Sequence, residues 1–210
     1  GIGGNDTIVG RGGADSLYGG TGDDTFVFDT VALMQAAAVI HGGASGEING
    51  VTLVGHAGNE TLTAGNMTYI QQISLASGST SSAAYVANTN AVSIIGTSGA
   101  DYVVGGSGYT NTIATGAGDD IVVFAVGDLL GDVVDGGDHS AGDTLKLTGA
   151  TAITDSQFIN VSNFENLDLS GYTGTSITLG SEAAGAFSSG TINLATTYVA
   201  GTTVITDVSG

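Results

Sequence analysis

The first 27 residues read as three consecutive nonapeptides, GIGGNDTIV at 1–9, GRGGADSLY at 10–18 and GGTGDDTFV at 19–27. Four of the nine columns agree in all three blocks. Glycine occupies positions one and four, aspartate occupies position six, and position eight holds Ile8, Leu17 and Phe26. The first six residues of each block predict a turn whose glycines take positive φ and aim carbonyl oxygens inward. The last three predict a short strand whose middle side chain is buried.

A second run of the same pattern lies further along the chain. Its first block contains Gly96, Gly99, Asp101 and Val103, and its third contains Gly116, Gly118, Asp120 and Val122. The middle block begins at Gly105 and is irregular, because Thr110 stands at the aspartate position and one extra residue precedes Ile113. We therefore expect Asn111 to take the ligand position of this block.

The two runs end in nearly the same heptapeptide, GDDTFVF at 22–28 and GDDIVVF at 118–124. Each ending prolongs a repeat into a strand with alternating inward side chains. This similarity indicates an internal duplication. A looser segment, GDVVDGGDHSAGDTLKL at 131–147, carries four aspartates and reads as a further, degenerate repeat.

Composition restricts the partners of the chain. It has 20 acidic residues against 2 of Lys and Arg, a formal net charge of −18, and 13 of its 16 aspartates within 1–29 and 101–143. Salt bridges therefore cannot balance the carboxylates, and nucleic acid or an anionic membrane surface would be repelled. The remaining counter-ion is a metal. The absence of cysteine excludes a thiolate site.

The nonapeptide resembles the calcium-binding G-G-x-G-x-D-x-U-x repeat of RTX proteins, with Ile2 and Arg11 standing where a second glycine is usual. The resemblance implies an all-β fold, a parallel β-roll or β-helix, which is a solenoid with calcium-binding loops. Two nonapeptides make one turn of that coil. Successive loops would therefore lie on opposite edges, and residues two repeats apart would stack at roughly one strand spacing, ~4.8 Å.

In such a coil the aspartates of alternate loops share an ion. Asp6 would lie over Asp24, and Asp101 over Asp120. Asp120 would in turn lie over Asp138. Two carboxylates this close repel each other, but an ion between them, with backbone carbonyls completing a shell of six to eight oxygens, makes the contact attractive. Ligation by oxygen alone favours Ca²⁺ over zinc or copper.

The calcium ligands implied by the resemblance fall into two groups. Turn residues that offer carbonyl oxygens are Gly1, Gly3, Gly10, Gly12, Gly19, Thr21, Gly96, Ser98, Gly105, Ser107 and Ala117. Residues at or near the aspartate position are Asp6, Asp15, Asp24, Asp101, Asn111, Asp120, Asp138 and Asp143. The alternative is a glycine-rich solenoid whose aspartates only cap turns through the backbone. That alternative does not require position eight of the repeat to be apolar in every block.

We divide the chain into a first calcium run at 1–29, a helix with irregular β coils at 30–95, a second calcium run at 96–147 and a β-helical continuation at 148–210. The segment TVALMQAAAVI at 30–40 predicts a short helix, capped by Asp29 or Thr30 and ended by Gly42. Short alternating apolar pieces predict strands near Leu53, Ile73, Ile94, Leu145, Leu167, Ile177, Leu194 and Val204. We expect no calcium loops of this kind in 51–95 and 150–210, and little effect of Asp155→Ala.

The sequence contains no H-E-x-x-H, no G-x-S-x-G and no cysteine nucleophile, so we expect no enzyme here, and any catalytic domain would lie outside the segment. The chain opens within the repeats, which suggests a piece of a longer polypeptide. We expect a calcium-folded structural or interaction segment of a secreted bacterial cell-surface protein, surface-layer or adhesin-like, with self-assembly as a candidate partner interaction. The alternative is a non-catalytic export and folding module of an RTX enzyme or toxin. No stretch is long and apolar enough to span a membrane.

Overall fold

The computed structural model describes residues 1–44, 46–54, 61–62, 67–75, 81–85, 93–174, 176–187, 193–195 and 204–207. Short strands dominate. In the first half they are β1 (Thr7–Gly10), β2 (Ser16–Tyr18), β3 (Thr25–Phe28), β4 (Val39–His41), β5 (Gly50–Leu53), β6 (Thr61–Leu62), β7 (Met67–Thr68), β8 (Gln72–Leu75), β9 (Ser81–Tyr85) and β10 (Ser93–Ile95). Every pairing among the described strands is parallel.

The second half continues in the same way. Its strands are β11 (Ala100–Val104), β12 (Thr112–Ala114), β13 (Ile121–Ala125), β14 (Val133–Asp135), β15 (Thr144–Gly149), β16 (Val161–Ser162), β17 (Asn166–Tyr172), β18 (Ser176–Leu179), β19 (Asn193–Ala195) and β20 (Val204–Asp207). The helices are α1 (Val31–Ala36) and α2 (Ser181–Ala186), with a 3₁₀ turn at Asp155–Phe158.

The strands form two long sheets. Sheet I has the order β1-β3-β5-β8-β10-β12-β14-β16, and sheet II has the order β6-β9-β11-β13-β15-β17-β19. A small sheet III joins β2, β4 and β7, and β18 pairs with β20. The chain thus returns to sheet I after every one or two intervening strands, which is the path of a solenoid. The predicted parallel β solenoid is confirmed, and sheet I passes through all four predicted segments.

The core consists of ladders of apolar side chains, one from each coil. Ile8 aligns with Phe26 in sheet I, and Leu17 aligns with Ile40 in sheet III. Sheet I continues the first ladder through Val51, Ile73, Ile94, Ile113, Val134 and Val161, all buried. Burying each such side chain contributes roughly 1.5–3 kcal/mol. This stacked interior holds the turns between the sheets in register.

The predicted helix at 30–40 is confirmed at its start and wrong at its end. The Thr30 hydroxyl accepts a hydrogen bond from the Leu33 amide at 3.2 Å, so Thr30 is the N-cap. The helix ends at Ala36, because the β-branched pair Val39 and Ile40 continues as β4 and pairs with β2.

The eight predicted apolar pieces all lie in strands. The continuation at 148–210 also contains helical structure that the sequence reading did not predict, namely α2 and the 3₁₀ turn. Asp155 explains how the short α2 is held. Its carboxylate accepts hydrogen bonds from the amides of Gly180 at 2.7 Å, Ala183 at 2.9 Å and Glu182 at 3.2 Å. These hydrogen bonds lead us to expect an effect of Asp155→Ala, in place of the little effect expected from the sequence.

None of the helices in the described parts of the chain is long and apolar enough to cross a bilayer.

Candidate calcium sites

A ladder of polar side chains runs along the edge where the chain enters sheet I. Asp24 Oδ1 accepts a hydrogen bond from the Asp6 amide at 2.9 Å. Asn49 Oδ1 accepts one from the Asp24 amide at 2.8 Å, and Gln71 Oε1 accepts one from the Asn49 amide at 2.8 Å. Each of these residues directly precedes a strand of sheet I. Every member after Asp6 therefore caps a backbone amide of the coil before it.

A second ladder of the same kind runs along the entry to sheet II. Asp120 Oδ1 accepts a hydrogen bond from the Asp101 amide at 2.7 Å, and Asp143 Oδ1 accepts one from the Asp120 amide at 2.7 Å. Glu165 Oε2 accepts the Asp143 amide at 2.8 Å and extends the ladder by one coil. Four consecutive coils thus place a carboxylate at the same point.

The second oxygen of these carboxylates is the feature that indicates a metal. Asp24, Asp120 and Asp143 are fully buried, and Oδ2 of each has no hydrogen-bond partner in the described structure. Removing a carboxylate from water costs several kcal/mol, whereas a hydrogen bond to a charged group returns about 1.5–3 kcal/mol. Burial accordingly raises the pKa of Asp120, and it raises the pKa of Asp143 to about 7.

Backbone carbonyl oxygens lie beside carboxylate oxygens at the first glycine of several loops. A methyl group added to Gly19 would collide with both Asp24 Oδ2 and the Gly42 carbonyl oxygen. The space beside Gly96 is bounded in the same way, by Asp101 Oδ2 and the carbonyl oxygen of Thr115. A glycine at the first loop position thus leaves room where a carboxylate oxygen from its own coil meets a carbonyl from the next coil.

These residues fit calcium. The donors that meet beside Gly1, Gly19 and Gly96 are carboxylate and carbonyl oxygens, which calcium accepts and softer metals disfavour. Bound calcium would be held by the position-six carboxylates and these carbonyls, and it would supply the positive charge that the buried carboxylates need. No cysteine is available to divert a softer metal to the loops.

The turn glycines take the predicted conformation. Gly4, Gly13 and Gly22, the fourth residues of the first three nonapeptides, have φ of 92°, 109° and 115°. Such angles are open to glycine and costly for other residues. They turn the chain sharply enough for each loop to close within six residues.

The predicted stack of Asp6 and Asp24 is present, since Thr7 pairs with Thr25 and Asp24 binds the Asp6 amide. Asp101 and Asp120 are stacked as well. The prediction that Asp120 pairs with Asp138 is wrong. Asp143 takes that place, while Asp138 is exposed and aligns with Ala117 in a short bridge. The reason is coil length: this coil spans 23 residues between ladder positions, five more than two nonapeptides.

Other predicted ligands also lie in the loops, but no acidic side chain is stacked on them. Asp15 is half-buried, and its backbone carbonyl accepts hydrogen bonds from the amides of Ala38 and Val39. The stacked position in the following coil is therefore occupied by Ala38, which has no carboxylate. The carbonyl of Thr21 accepts the Gly4 amide at 2.7 Å. Gly3 and Gly12 are exposed turn residues, as are Ser98 and Ser107.

Gly10 and Gly105 have a packing role. A methyl group at Gly10 would collide with the Phe28 ring, and one at Gly105 would collide with the Phe124 ring. Both phenylalanines end the duplicated heptapeptide, and both are buried. The duplication therefore preserved a glycine and phenylalanine pair as well as the aspartate positions.

Asn111 lies at the edge where the chain enters sheet I, as expected for the middle block of the second run. Its amide donates to Asp132 Oδ1 at 2.7 Å, and burial raises the pKa of Asp132. Sequence reasoning missed Asp132 as a ladder residue, together with Asn49, Gln71 and Glu165. One signal was available, because each of these residues directly precedes an apolar strand.

Partly buried acids outside the ladders form a different class. Asp119 accepts three amide hydrogen bonds, from Ala141 at 2.6 Å, Ser140 at 2.9 Å and Gly142 at 3.1 Å, and these lower its pKa. Lys146 pairs with Asp168 at 2.8 Å. The view that aspartates only cap turns therefore holds for outer positions such as Asp119. It leaves the buried Oδ2 atoms unexplained.

Comparison with known families agrees with this geometry. The family model described as RTX calcium-binding nonapeptide repeat matches four copies, within residues 1–30, 86–110 and 95–128. The chain therefore carries RTX calcium-binding nonapeptide repeats, and this repeat family binds calcium. No match was found among curated proteins or among solved structures.

Proposed function

We propose that this chain is a non-catalytic, calcium-folded structural segment of a secreted bacterial cell-surface protein of the surface-layer or adhesin-like kind. The observation that carries the calcium part is the set of buried, unpartnered Oδ2 atoms on the two ladders, together with the carbonyl oxygen that lies beside Asp24 Oδ2. RTX repeat proteins are typically secreted, which supports an extracellular setting. The long continuous sheets favour a structural role.

Calcium would act as a folding switch. Ordering the glycine-rich loops costs roughly 1–2 kcal/mol per residue in backbone entropy. The stacked carboxylates add repulsion to that cost. A metal site absent from the unfolded chain contributes its binding free energy to folding. Extracellular calcium modules bind with dissociation constants of about 0.1–1 mM, so the chain would stay unfolded in a low-calcium cytoplasm and fold outside.

The folding test is a calcium titration of the metal-free chain, followed by circular dichroism and thermal melting. We expect β-signal and melting temperature to rise with calcium and to fall again when a chelator is added. Magnesium at the same concentration is the control, because it demands tighter octahedral geometry and keeps its water. Unchanged spectra in chelator would refute the switch.

The surface role needs a separate test. In calcium, the folded chain should self-associate into ordered sheets or filaments visible by negative-stain electron microscopy. A chain that folds in calcium but remains monomeric at high concentration would favour the alternative, an export and folding module of an RTX enzyme or toxin.

A further inference from the structure

A mixed nitrogen and oxygen cluster lies at the far end of the sheet II ladder. His139 Nδ1 is 3.1 Å from Glu165 Oε2 and 3.9 Å from Asp143 Oδ2. One donor atom from each residue lies within 4.8 Å of the others. His139 belongs to the loop before β15 and Glu165 directly precedes β17, so the cluster connects two successive coils.

Two features of the cluster indicate a ligand. Asp143 is fully buried, and its Oδ2 lacks a hydrogen-bond partner in the described structure although it faces the imidazole. Glu165 Oε2 is held in place by the Asp143 amide at 2.8 Å. Such an outer hydrogen bond is what orients carboxylate ligands in metal sites.

The donor set differs from that of the calcium loops. Calcium is bound by oxygen, whereas an imidazole nitrogen combined with carboxylates suits a borderline transition metal. Zinc bonds of about 2.0–2.1 Å in a tetrahedron separate ligand atoms by roughly 3.3 Å, close to the 3.1 Å and 3.9 Å seen here. The His139 side chain is 34% exposed, which leaves a fourth position accessible to water.

We propose that His139, Asp143 and Glu165 form a site for one zinc-like divalent ion, separate from the calcium loops. The ion ties the loop before β15 to the coil of β17. It binds Asp143 Oδ2, which would otherwise have no partner at the end of the stack of calcium loops.

The test uses the full, tag-free chain folded in saturating calcium, so that failure of calcium folding is detected first by circular dichroism. Zinc is then titrated calorimetrically, and Co²⁺ is added as a spectroscopic probe. We expect one zinc equivalent and the visible d–d absorption of tetrahedral Co²⁺. His139→Ala and Glu165→Gln should weaken zinc binding by at least the 10–100-fold that loss of an outer partner costs. His139→Ala, which lies outside the ladders, should leave the calcium-induced β-signal unchanged.

His41→Ala is the matched control, because His41 lies on β4 between the rings of Tyr18 and Tyr69. It should leave zinc binding unchanged. The proposal is overturned if the calcium-loaded chain binds no zinc, if His139→Ala binds it as tightly as wild type, or if excess calcium displaces the zinc. Those outcomes would leave an ion pair or an additional calcium ligand at this position.

Discussion

At the level of single residues, each stacked aspartate uses its two carboxylate oxygens differently. Oδ1 of Asp24 and of Asp120 caps a backbone amide in the neighbouring coil, while Oδ2 lies buried beside carbonyl oxygens or without a partner. Capping needs only an oxygen, whereas metal binding needs the charge. An asparagine separates the two roles, as Asn49 does naturally in the next coil.

Asp24→Asn should therefore keep the hydrogen bond to the Asp6 amide and lose one anionic ligand. We expect calcium affinity of the first run to fall about tenfold or more, since ligand charge sets affinity over several decades. Calorimetric calcium titration measures the change. Asp29→Asn is the control, because Asp29 is exposed outside the ladder. Equal effects of the two substitutions would contradict the assignment.

Asp155→Ala should destabilise the chain without changing calcium affinity. Burial alone would raise the pKa of Asp155, but three amide hydrogen bonds outweigh it and lower the pKa, so the folded state favours the carboxylate. Loss of a helix cap costs about 0.5–2 kcal/mol. Urea unfolding in saturating calcium would show it. A shift in calcium affinity instead would mean that Asp155 acts on the sites.

At the level of elements, the calcium loops depend on glycines, which have no side chain. Gly19 lies in the gap between Asp24 Oδ2 and the Gly42 carbonyl, and the backbone there leaves no room for a methyl group. The strands hold the oxygens in place, so the loop cannot adjust freely. Geometry, more than conformational freedom, selects glycine at this position.

Gly19→Ala should cost about 1–3 kcal/mol, as overpacking does, and weaken calcium binding. Gly185→Ala offers a control of opposite sign, since Gly185 lies in α2 with nothing within 4 Å of an added methyl group. It should stabilise the chain by about 0.5–1 kcal/mol. Thermal melting with and without calcium distinguishes the two. Two destabilised variants, or two neutral ones, would disprove this account.

The sequence allowed prediction of the loops and strands where the period is nine residues, because Asp6, Asp24 and their apolar neighbours fix the register. The prediction failed where a coil is longer than two nonapeptides. The coil from Asp120 to Asp143 accommodates a turn at 126–131 that no nonapeptide contains, so counting by 18 selected Asp138. Ladder members such as Glu165 were missed for the same reason, and α2 because it depends on a distant cap.

At the level of the whole molecule, buried acids link folding to pH when metal is absent. Burial raises the folded pKa of Asp120 and Asp132, and that of Asp143 to about 7, above the ordinary value of about 3.9. A raised pKa means that the folded state binds more protons. Its contribution to stability is present below the unfolded pKa and is lost as pH rises through about 7.

The metal-free chain should therefore show more β-signal at pH 5, where protonation neutralises these buried acids, than at pH 8. Below about pH 4 the trend should reverse, as Asp155 and Asp168, whose pKa values are lowered in the folded state, become protonated. With calcium the slope between pH 5 and 8 should invert, because the ion needs the ionised carboxylates. Circular dichroism across this range without metal, and melting temperatures with calcium, test both signs. The account would be wrong if the β-signal without metal were no greater at pH 5 than at pH 8.

The ladders also give the solenoid unlike ends. In every rung described above, a side chain of the later coil caps a backbone amide of the earlier one, as Asp143 does for Asp120 and Glu165 for Asp143. Along the ladders each coil is therefore capped by its successor, whereas contacts outside the ladders, such as those of Asp119 and Asp155, run in the opposite direction. A chain cut after a ladder coil loses the cap on its ladder amide, whereas a chain cut before that coil leaves a ladder carboxylate that water can solvate. The ladders therefore have a direction, and the residues that follow each coil supply the cap for its ladder amide.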